Sequence, residues 1–197
     1  MTNSTTNRKR PTETENGWTR TTHNERSPGA ERSADIVLGA AVIAMGLLAG
    51  LYFFSTIAVM PALTAADDRT LVDAMQQMID KIENPAFFLV LLGAPALATV
   101  ALVQARRSGQ AKIAAWIVAG LALYTVMIII TFAVHIPLND DLKQAGDPDR
   151  IANIAQVRDD FVTPWVAWDI VRTVATTAAF GSLTWALVLR GRMMNSI

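Results

Sequence analysis

The sequence has no cysteine and only two histidines among its 197 residues. Without thiols the chain can form no disulfide framework, thiolate nucleophile, iron–sulfur cluster or cysteine-ligated zinc site. His23 lies in a polar N-terminal stretch, so a bis-histidine haem inside an apolar core is also excluded. His135 with one or two carboxylates leaves a first-row metal short of nitrogen or sulfur donors. We therefore predict no metal and no cofactor.

The chain also lacks net charge and the common catalytic motifs. Its 17 basic residues balance 17 acidic ones, which gives no reason to expect nucleic-acid binding. There is no Gly-rich phosphate loop, no G-x-S-x-G elbow and no H-E-x-x-H pair. Any catalysis would therefore depend on acids, bases and hydrogen-bond donors in an apolar pocket.

Apolar residues make up 52% of the chain and are concentrated in four long stretches. At about 1.5 Å per residue, such stretches match the roughly 30 Å hydrocarbon core of a bilayer. Backbone groups in lipid must be satisfied internally, and these lengths suit helices rather than barrel strands. The sequence therefore predicts an all-α, four-transmembrane-helix bundle within residues 34–192. The predicted helices lie at about 36–60, 86–104, 113–136 and 164–189.

Positively charged residues are divided unequally between the two sides of this predicted domain. Eleven Lys and Arg residues fall in the N-terminal stretch, the second connection and the C-terminus, against five in the two long connections. The positive-inside rule then places both termini of a multi-pass cell-membrane protein in the cytoplasm. Residues 1–33 hold one large apolar residue after Met1, Trp18, and this composition predicts a disordered cytoplasmic tail.

The two long connections face outward in this topology, and each predicts an amphipathic helix. In the connection after the first span, apolar residues recur at helical spacing from Leu71 to Ile82. In the connection after the third span, the same spacing runs from Ile151 to Phe161, following an Asp147-Pro148 start. These helices would either fold over the outer mouth of the bundle or rest on lipid headgroups.

Gly46 and Gly50 form a GxxxG pair in the first predicted span. Small residues at this spacing are typical of helices whose backbones approach one another closely in membranes. The pair therefore predicts close packing on this face of the first helix.

Two ionisable residues, Asp169 and Arg172, lie inside the fourth predicted span. Charges within a membrane are costly, so such residues are candidates for a functional site. Three positions apart on a helix, they share one face and can form an ion pair. That pair would either take part in chemistry or neutralise itself and hold the fourth helix against its neighbours.

Other polar and aromatic positions map to the same outer end of the predicted bundle. His135 closes the third span, Pro137-Leu138-Asn139 follows it, and Asn84 opens the second span. Trp165 and Trp168 flank the ion pair, and for Trp165 the usual aromatic belt is favoured over a ligand contact. Together these positions predict a pocket at the outer end, although each also has a purely structural explanation.

Five short motifs follow one another between residues 36 and 190. They are Gly50–Leu63 (GLYFFSTIAVMPAL), Ala74–Gln77 (AMQQ), Asn84–Phe87 (NPAF), Ile136–Asn139 (IPLN) and Trp165–Arg172 (WVAWDIVR). This ordered set resembles the anthrone oxygenase-like family of four-helix membrane proteins, many of whose bacterial members form a domain of unknown function.

The resemblance implies an activity and a set of site residues. Fungal members of the family oxidise an anthrone to an anthraquinone with molecular oxygen and without a cofactor. A base removes a proton from the acidic methylene, and the resulting anion reacts with oxygen directly. The family motifs point to Asn84, Pro137, Asn139, Trp168 and Arg172.

Two positions depart from the family pattern. Family members often carry asparagine where this chain has His135 and Asp169. Both departures add a titratable group to the predicted pocket, where they could supply a base or mark a branch with a different substrate.

The leading hypothesis is a cofactor-independent membrane oxygenase that acts on an apolar aromatic substrate. Arg172 would stabilise the developing phenolate or enolate, and His135 or Asp169 would be the general base. Three further positions would bind the substrate: Asn84, Asn139 and Trp168.

The alternative is a non-enzymatic membrane protein that binds a lipid or quinone-like molecule or assists a partner complex. In either case the chain could form a homo-oligomer in contact with membrane lipid. A small transporter is the least favoured hypothesis, because no internal repeat supports it.

Overall fold

The computed structural model describes residues 28–194, and every regular element in this range is helical. The sequence prediction of an all-α protein is therefore confirmed for this part of the chain. The α-helices are α1 Pro28–Phe54, α2 Met60–Thr64, α3 Asp68–Ile82, α4 Pro85–Arg107, α5 Ala111–Ile130, α6 Ile136–Gln144 and α7 Ile154–Met194. Two π-helical turns, Ser55–Val59 and Thr131–His135, join α1 to α2 and α5 to α6 without a break.

The four long helices pack around one apolar core. Helices α1 and α5 each contact both α4 and α7, so the helices surround the core in the order α1–α4–α5–α7. Met45, Ile117 and Leu183 are fully buried at its centre. Ala98 on α4 and Ala179 on α7 are also buried, and such small side chains allow helix backbones to approach closely.

Three helical stretches have the length and apolar composition of membrane spans: Glu31–Thr64, Pro85–Arg107 and Ala111–Gln144. They coincide with the first three predicted spans. The fourth predicted span lies within α7, which is not among these stretches. Two charged residues, Asp169 and Arg172, and several hydroxyl side chains lower the mean hydropathy of α7.

Helix α7 corrects two predicted boundaries. The sequence predicts an outer amphipathic helix and a separate span that begins near Pro164, whereas the structure has one helix of 41 residues. Residues 147–153 form turns rather than the predicted helix start. Phe161 and Trp165 lie in the same apolar cluster on either side of Pro164, so tertiary packing keeps the helix continuous through the proline. At about 1.5 Å per residue, α7 is roughly 60 Å long.

The start of α1 is a second correction. Helix α1 begins at Pro28, so residues 28–33 are helical although the sequence predicts disorder up to residue 33. Arg190 near the end of α7 explains this order, because it donates hydrogen bonds to the Glu31 carbonyl and to Asp35. Arg190 also donates to Gln110 Oε1 at 3.0 Å. The predicted tail up to residue 27 lies outside the described residues.

The opposite end of the long helices is covered by a second apolar core, and we call it the covered end. Helix α3 contributes four buried side chains to this core, including Met75 and Ile79, and α6 and the start of α7 complete it. Asp67 caps α3 by accepting a hydrogen bond from the Thr70 amide at 3.0 Å. The bonds from Thr70 lower the pKa of the Asp67 carboxyl. Helix α3 is thus a cover over the bundle.

Ion pairs at three residues of α3 fasten this cover, and one of them joins Asp80 to Lys143 of α6 at 3.1 Å. Arg69 at the start of α3 pairs with Asp149 in the turn before α7, and this lowers the pKa of the Asp149 carboxyl. Arg158 on α7 pairs with Asp68 on α3 and also donates to the Thr64 carbonyl at 2.6 Å. The amphipathic segments are therefore tied to one another through polar as well as apolar contacts.

Only one residue of the predicted GxxxG pair makes a close approach. A Cβ atom added at Gly46 would lie 3.0 Å from Cε2 of Phe180 on α7. A Cβ atom added at Gly50 would meet no heavy atom within 4 Å. The contact between α1 and α7 thus depends on Gly46.

We expect Gly46→Leu to lower the free energy of unfolding by about 1–3 kcal/mol, because the new side chain overlaps the Phe180 ring. Gly50→Leu is the matched control and should cause no loss, since its side chain enters open space. Thermal unfolding of the detergent-solubilised protein measures both. Equal losses at the two positions would contradict this interpretation.

Candidate functional site

A cavity of about 430 Å³ lies where the two apolar cores meet. Its walls come from α1, α3, α4, α6, α7 and both π-helical turns. Most of the lining is apolar. Its polar side chains are Tyr52, Ser55, Thr131, His135, Asn139 and Arg172, together with Lys81 and Glu83 at the end of α3. A volume of this size with a few convergent polar groups is typical of small-molecule sites.

The Asp169–Arg172 ion pair forms as the sequence predicts. Arg172 Nη2 donates to Asp169 Oδ1 at 2.6 Å, and the two side chains are 9% and 1% exposed. The second carboxylate oxygen lies 2.9 Å from the Thr56 hydroxyl, which in turn lies 2.8 Å from the Thr173 hydroxyl. Arg172 lines the cavity and Asp169 does not. The aspartate therefore neutralises the arginine from behind the cavity wall.

Two aromatic rings complete the surroundings of the Arg172 charge. The guanidinium carbon lies 4.2 Å from the Tyr52 ring centroid and 5.7 Å from that of Trp165. A cation over an aromatic face is stabilised by the negative potential of the ring. The Nε–H of this buried cation is without a hydrogen-bond partner among the described residues.

His135 and Tyr52 are the other cavity residues with unsatisfied polar atoms. His135 is almost fully buried, and its ring meets that of Trp165 edge to face with centroids 5.1 Å apart. Within residues 28–194, neither His135 nitrogen nor the Tyr52 hydroxyl finds a hydrogen-bond partner. A buried polar atom without a partner costs about 1–3 kcal/mol. The three side chains line the cavity, but these atoms have almost no accessible surface, so water or a ligand reaches them only when neighbouring side chains move.

Asn139 and Trp165 form a hydrogen-bonded pair in the cavity wall. Trp165 Nε1 donates to Asn139 Oδ1 at 3.1 Å, and both residues line the cavity. Trp165 is buried, which corrects the expectation that it belongs to an aromatic belt. It lies one helical turn before Asp169, so both side chains face the bundle rather than its exterior.

Two predicted site residues lie outside the cavity. Asn84 caps α4: its Oδ1 accepts from the Phe87 amide at 3.0 Å, and its amide group donates to the Lys81 carbonyl at 2.9 Å. Trp168 is 42% exposed. The structure therefore brings His135, Asn139 and Arg172 together, with Asp169 behind them, and separates Asn84 and Trp168 from that group.

The polar contribution of the first span is absent from the sequence prediction. Tyr52 and Ser55 line the cavity, and Thr56 contacts the ion pair. A signal for this region exists in the sequence, because Ser55 and Thr131 each stand six residues before a proline in a mainly apolar run. Both open a π-helical turn, and such turns often occur at functional sites.

The family model for anthrone oxygenases matches residues 85–182, about half of the chain. The matched segment runs from α4 into α7 and includes His135, Asn139, Asp169 and Arg172. No curated protein and no solved structure matches the chain. Among the residues that the structure describes, no group of three or more His, Asp or Glu side chains could hold a metal ion.

We expect Arg172→Met to lower the free energy of unfolding by about 3–5 kcal/mol, because it leaves Asp169 as an unpaired buried charge. The double variant Asp169→Leu/Arg172→Met should regain most of this loss. Arg150→Met is the matched control: Arg150 and Asp147 have the same spacing but are 85% and 51% exposed. Its effect should be below about 1 kcal/mol. Thermal melts in detergent compare the three proteins, and similar losses for Arg172→Met and Arg150→Met would refute a buried pair.

The cap formed by Asn84 gives a separate prediction. Asn84→Ala should lower stability by about 1 kcal/mol, because the Phe87 amide loses its acceptor. Asn84→Asp supplies an oxygen acceptor for the Phe87 amide but loses the donor to the Lys81 carbonyl, so it should retain more stability than Asn84→Ala in the same thermal melts. If both variants melt alike, the cap is not what Asn84 contributes.

Proposed function

Residues 85–182 of this chain belong to the anthrone oxygenase family, and from this premise we propose that it is a membrane enzyme which oxidises an apolar aromatic substrate with molecular oxygen and without a cofactor. One observation carries the proposal. The cavity is lined by a buried cation, a buried imidazole and an amide within otherwise mostly apolar walls. Such a site can accept an aromatic ring and stabilise a negative charge on its oxygen.

The proposed reaction converts a ring methylene into a carbonyl. A base removes one methylene proton, and the resulting anion carries its charge on the substrate oxygen. The anion then reduces molecular oxygen and forms a carbon–oxygen bond, which gives a peroxide. Loss of the second methylene hydrogen with cleavage of the O–O bond yields the carbonyl and water. One oxygen atom enters the product, the other leaves as water, and no external reductant is required.

Arg172 is suited to hold the anion. Its charge is fixed by Asp169 and by the two aromatic rings, and its Nε–H has no partner among the described residues. A preorganised donor in a site with little water stabilises a developing oxyanion strongly. Removal of one such donor in other enzymes slows the chemical step by about 10²–10³-fold.

His135 is better suited than Asp169 to act as the base. Asp169 does not line the cavity, and its two oxygens are engaged by Arg172 and Thr56. His135 lines the cavity, and a neutral imidazole has one nitrogen that can accept a proton. Asn139, held by Trp165, is placed to orient the substrate.

We also propose that α7 crosses the membrane as a fourth span beside the other three. Its contacts with α1 and α5 are extensive, and its charged side chains at 169 and 172 are buried. Its exposed side chains in this region are apolar, including Ile170, Val171 and Val174, and suit a lipid-facing surface. The charge distribution then puts the covered end on the non-cytoplasmic side of a cell membrane.

The experiment is the oxidation of an anthrone by the purified protein in lipid nanodiscs, followed as quinone formation against the uncatalysed background. We expect His135→Gln to lower the rate by about 10²-fold or more, as loss of a general base does. Arg172→Lys keeps a cation for Asp169 but loses the planar donor set, and should lower the rate at least about tenfold.

Arg150→Met, on the exposed surface, is the control and should keep the full rate. Thermal melts and gel filtration verify that each variant is folded. Full activity in both His135→Gln and Arg172→Lys would exclude the assigned roles.

A binding protein for a quinone-like molecule or lipid is the second candidate, because the unpartnered Tyr52 hydroxyl and Arg172 Nε can donate to a bound oxygen without any chemistry. Binding requires no proton acceptor. Saturable binding of an anthrone or quinone with no turnover, unaffected by His135→Gln, would favour this candidate.

A further inference from the structure

Three phenylalanines mark the place where the cavity meets the exterior. Phe54, Phe88 and Phe132 all line the cavity and are nevertheless 58%, 44% and 61% exposed. A side chain that is both lining and exposed lies at an opening. Each of the three belongs to one of the stretches with the composition of a membrane span. The opening is therefore lateral, between helices that cross the bilayer.

The chemistry of this opening suits lipid rather than water. Leu51, Met78 and Ile136 also line the cavity and are exposed, so six large apolar side chains surround the opening. Lys81 and Glu83 at the end of α3 are the charged residues on the same border. An apolar rim of this extent is unfavourable in water and carries no such cost against acyl chains. The charged residues fit the level at which the bilayer surface begins.

The cavity is closed towards the covered end. Met75 and Ile79 of α3 line it from that side and are buried, because they belong to the second apolar core. A molecule that reaches the cavity from water would have to displace α3, whose ion pairs with the rest of the covered end involve Arg69, Asp68 and Asp80. Entry between the phenylalanines requires no such rearrangement.

Polarity increases from the opening to the interior. The rim is apolar, whereas Tyr52, His135 and Arg172 present buried atoms without hydrogen-bond partners in the described part of the chain. We propose that the cavity takes its ligand directly from the bilayer through the opening between Phe54, Phe88 and Phe132. The ligand is an apolar molecule with an oxygen-bearing end, which enters first and reaches the buried polar atoms of those three residues after small shifts of their neighbours. This inference rests on the proposed function only in assigning that ligand as the substrate.

Because the chain has no cysteine, a single introduced thiol can test the route. Ser55→Cys places a thiol in the cavity wall, and Gln77→Cys places one on the exposed surface of α3. Each protein, in lipid nanodiscs that leave both membrane faces open to water, is treated with an uncharged apolar maleimide and with a permanently charged methanethiosulfonate. At each position the rate with the apolar reagent is divided by the rate with the charged reagent. This ratio cancels differences in intrinsic reactivity between the two thiols.

We expect this ratio of apolar to charged reagent to be at least about tenfold higher at position 55 than at position 77, because a charged reagent must leave water to reach the cavity. Equal ratios would show that the cavity opens to water and would overturn the proposal. Failure of Ser55→Cys to react with either reagent would overturn it as well, since the cavity would then be closed.

A second substitution locates the opening. In the Ser55→Cys protein, Phe132→Trp should slow the apolar maleimide several-fold by narrowing the rim. Ile129→Trp is the matched control, because Ile129 is equally exposed on the preceding helical turn but does not line the cavity. Equal effects of the two tryptophans would contradict an opening at Phe132. Labelling requires no turnover, so its outcome is independent of whether the protein oxidises an anthrone.

Discussion

The positive charge of Arg172 is buried, and residues of α1, the first π-helical turn and α7 surround and neutralise it. Asp169 supplies the opposite charge from the same helix, and Thr56 on the first π-helical turn donates to that carboxylate. The rings of Tyr52 and Trp165 stand against the cation. Because these partners come from α1 as well as α7, neutralising one charge also fixes how two helices meet. Breaking such a buried pair is costly, so the pair stabilises the fold, and Arg172 also belongs to the polar lining of the cavity.

The cavity owes its position to the meeting of two differently built cores. The apolar core of the four long helices includes alanines such as Ala94 and Ala98, and these helices pack closely. The second apolar core, at the covered end, is made by amphipathic helical segments with bulky side chains such as Met75 and Phe161. The space between them receives polar groups from both π-helical turns, namely Ser55, Thr131 and His135. A group placed there is enclosed mainly by apolar side chains.

Local pattern predicts well those features that depend on one helix. The length of the apolar runs predicts the three stretches that have the composition of membrane spans. The three-residue spacing of Asp169 and Arg172 predicts their contact. Features that depend on how the helices are rotated relative to one another cannot be predicted from local sequence pattern. Trp165 and Trp168 are equivalent as sequence signals, but only Trp165 faces the cavity.

Asn84 shows a related limitation, because a polar residue before a proline is equally suited to a helix cap and to a pocket. Pro164 predicts a boundary that contacts between α3 and α7 override. Tyr52 carries no local signal at all, since a tyrosine in an apolar helix is an ordinary core residue until its neighbours are known.

The two π-helical turns have a consequence for how such a chain can vary during evolution. Each holds one residue more than an α-helical turn and is followed at once by a residue and a proline, Met60-Pro61 or Ile136-Pro137. Each residue turns an α-helix by about 100° about its axis. Deletion of one residue from Thr131–His135 would therefore rotate Asn139 away from Trp165. Neighbouring side chains can repack around a substitution in these two turns, but repacking cannot compensate for a change in their length. Homologous chains should therefore differ freely in composition across these segments and keep their spacing to the proline constant, or compensate any deletion by an insertion within the same few residues.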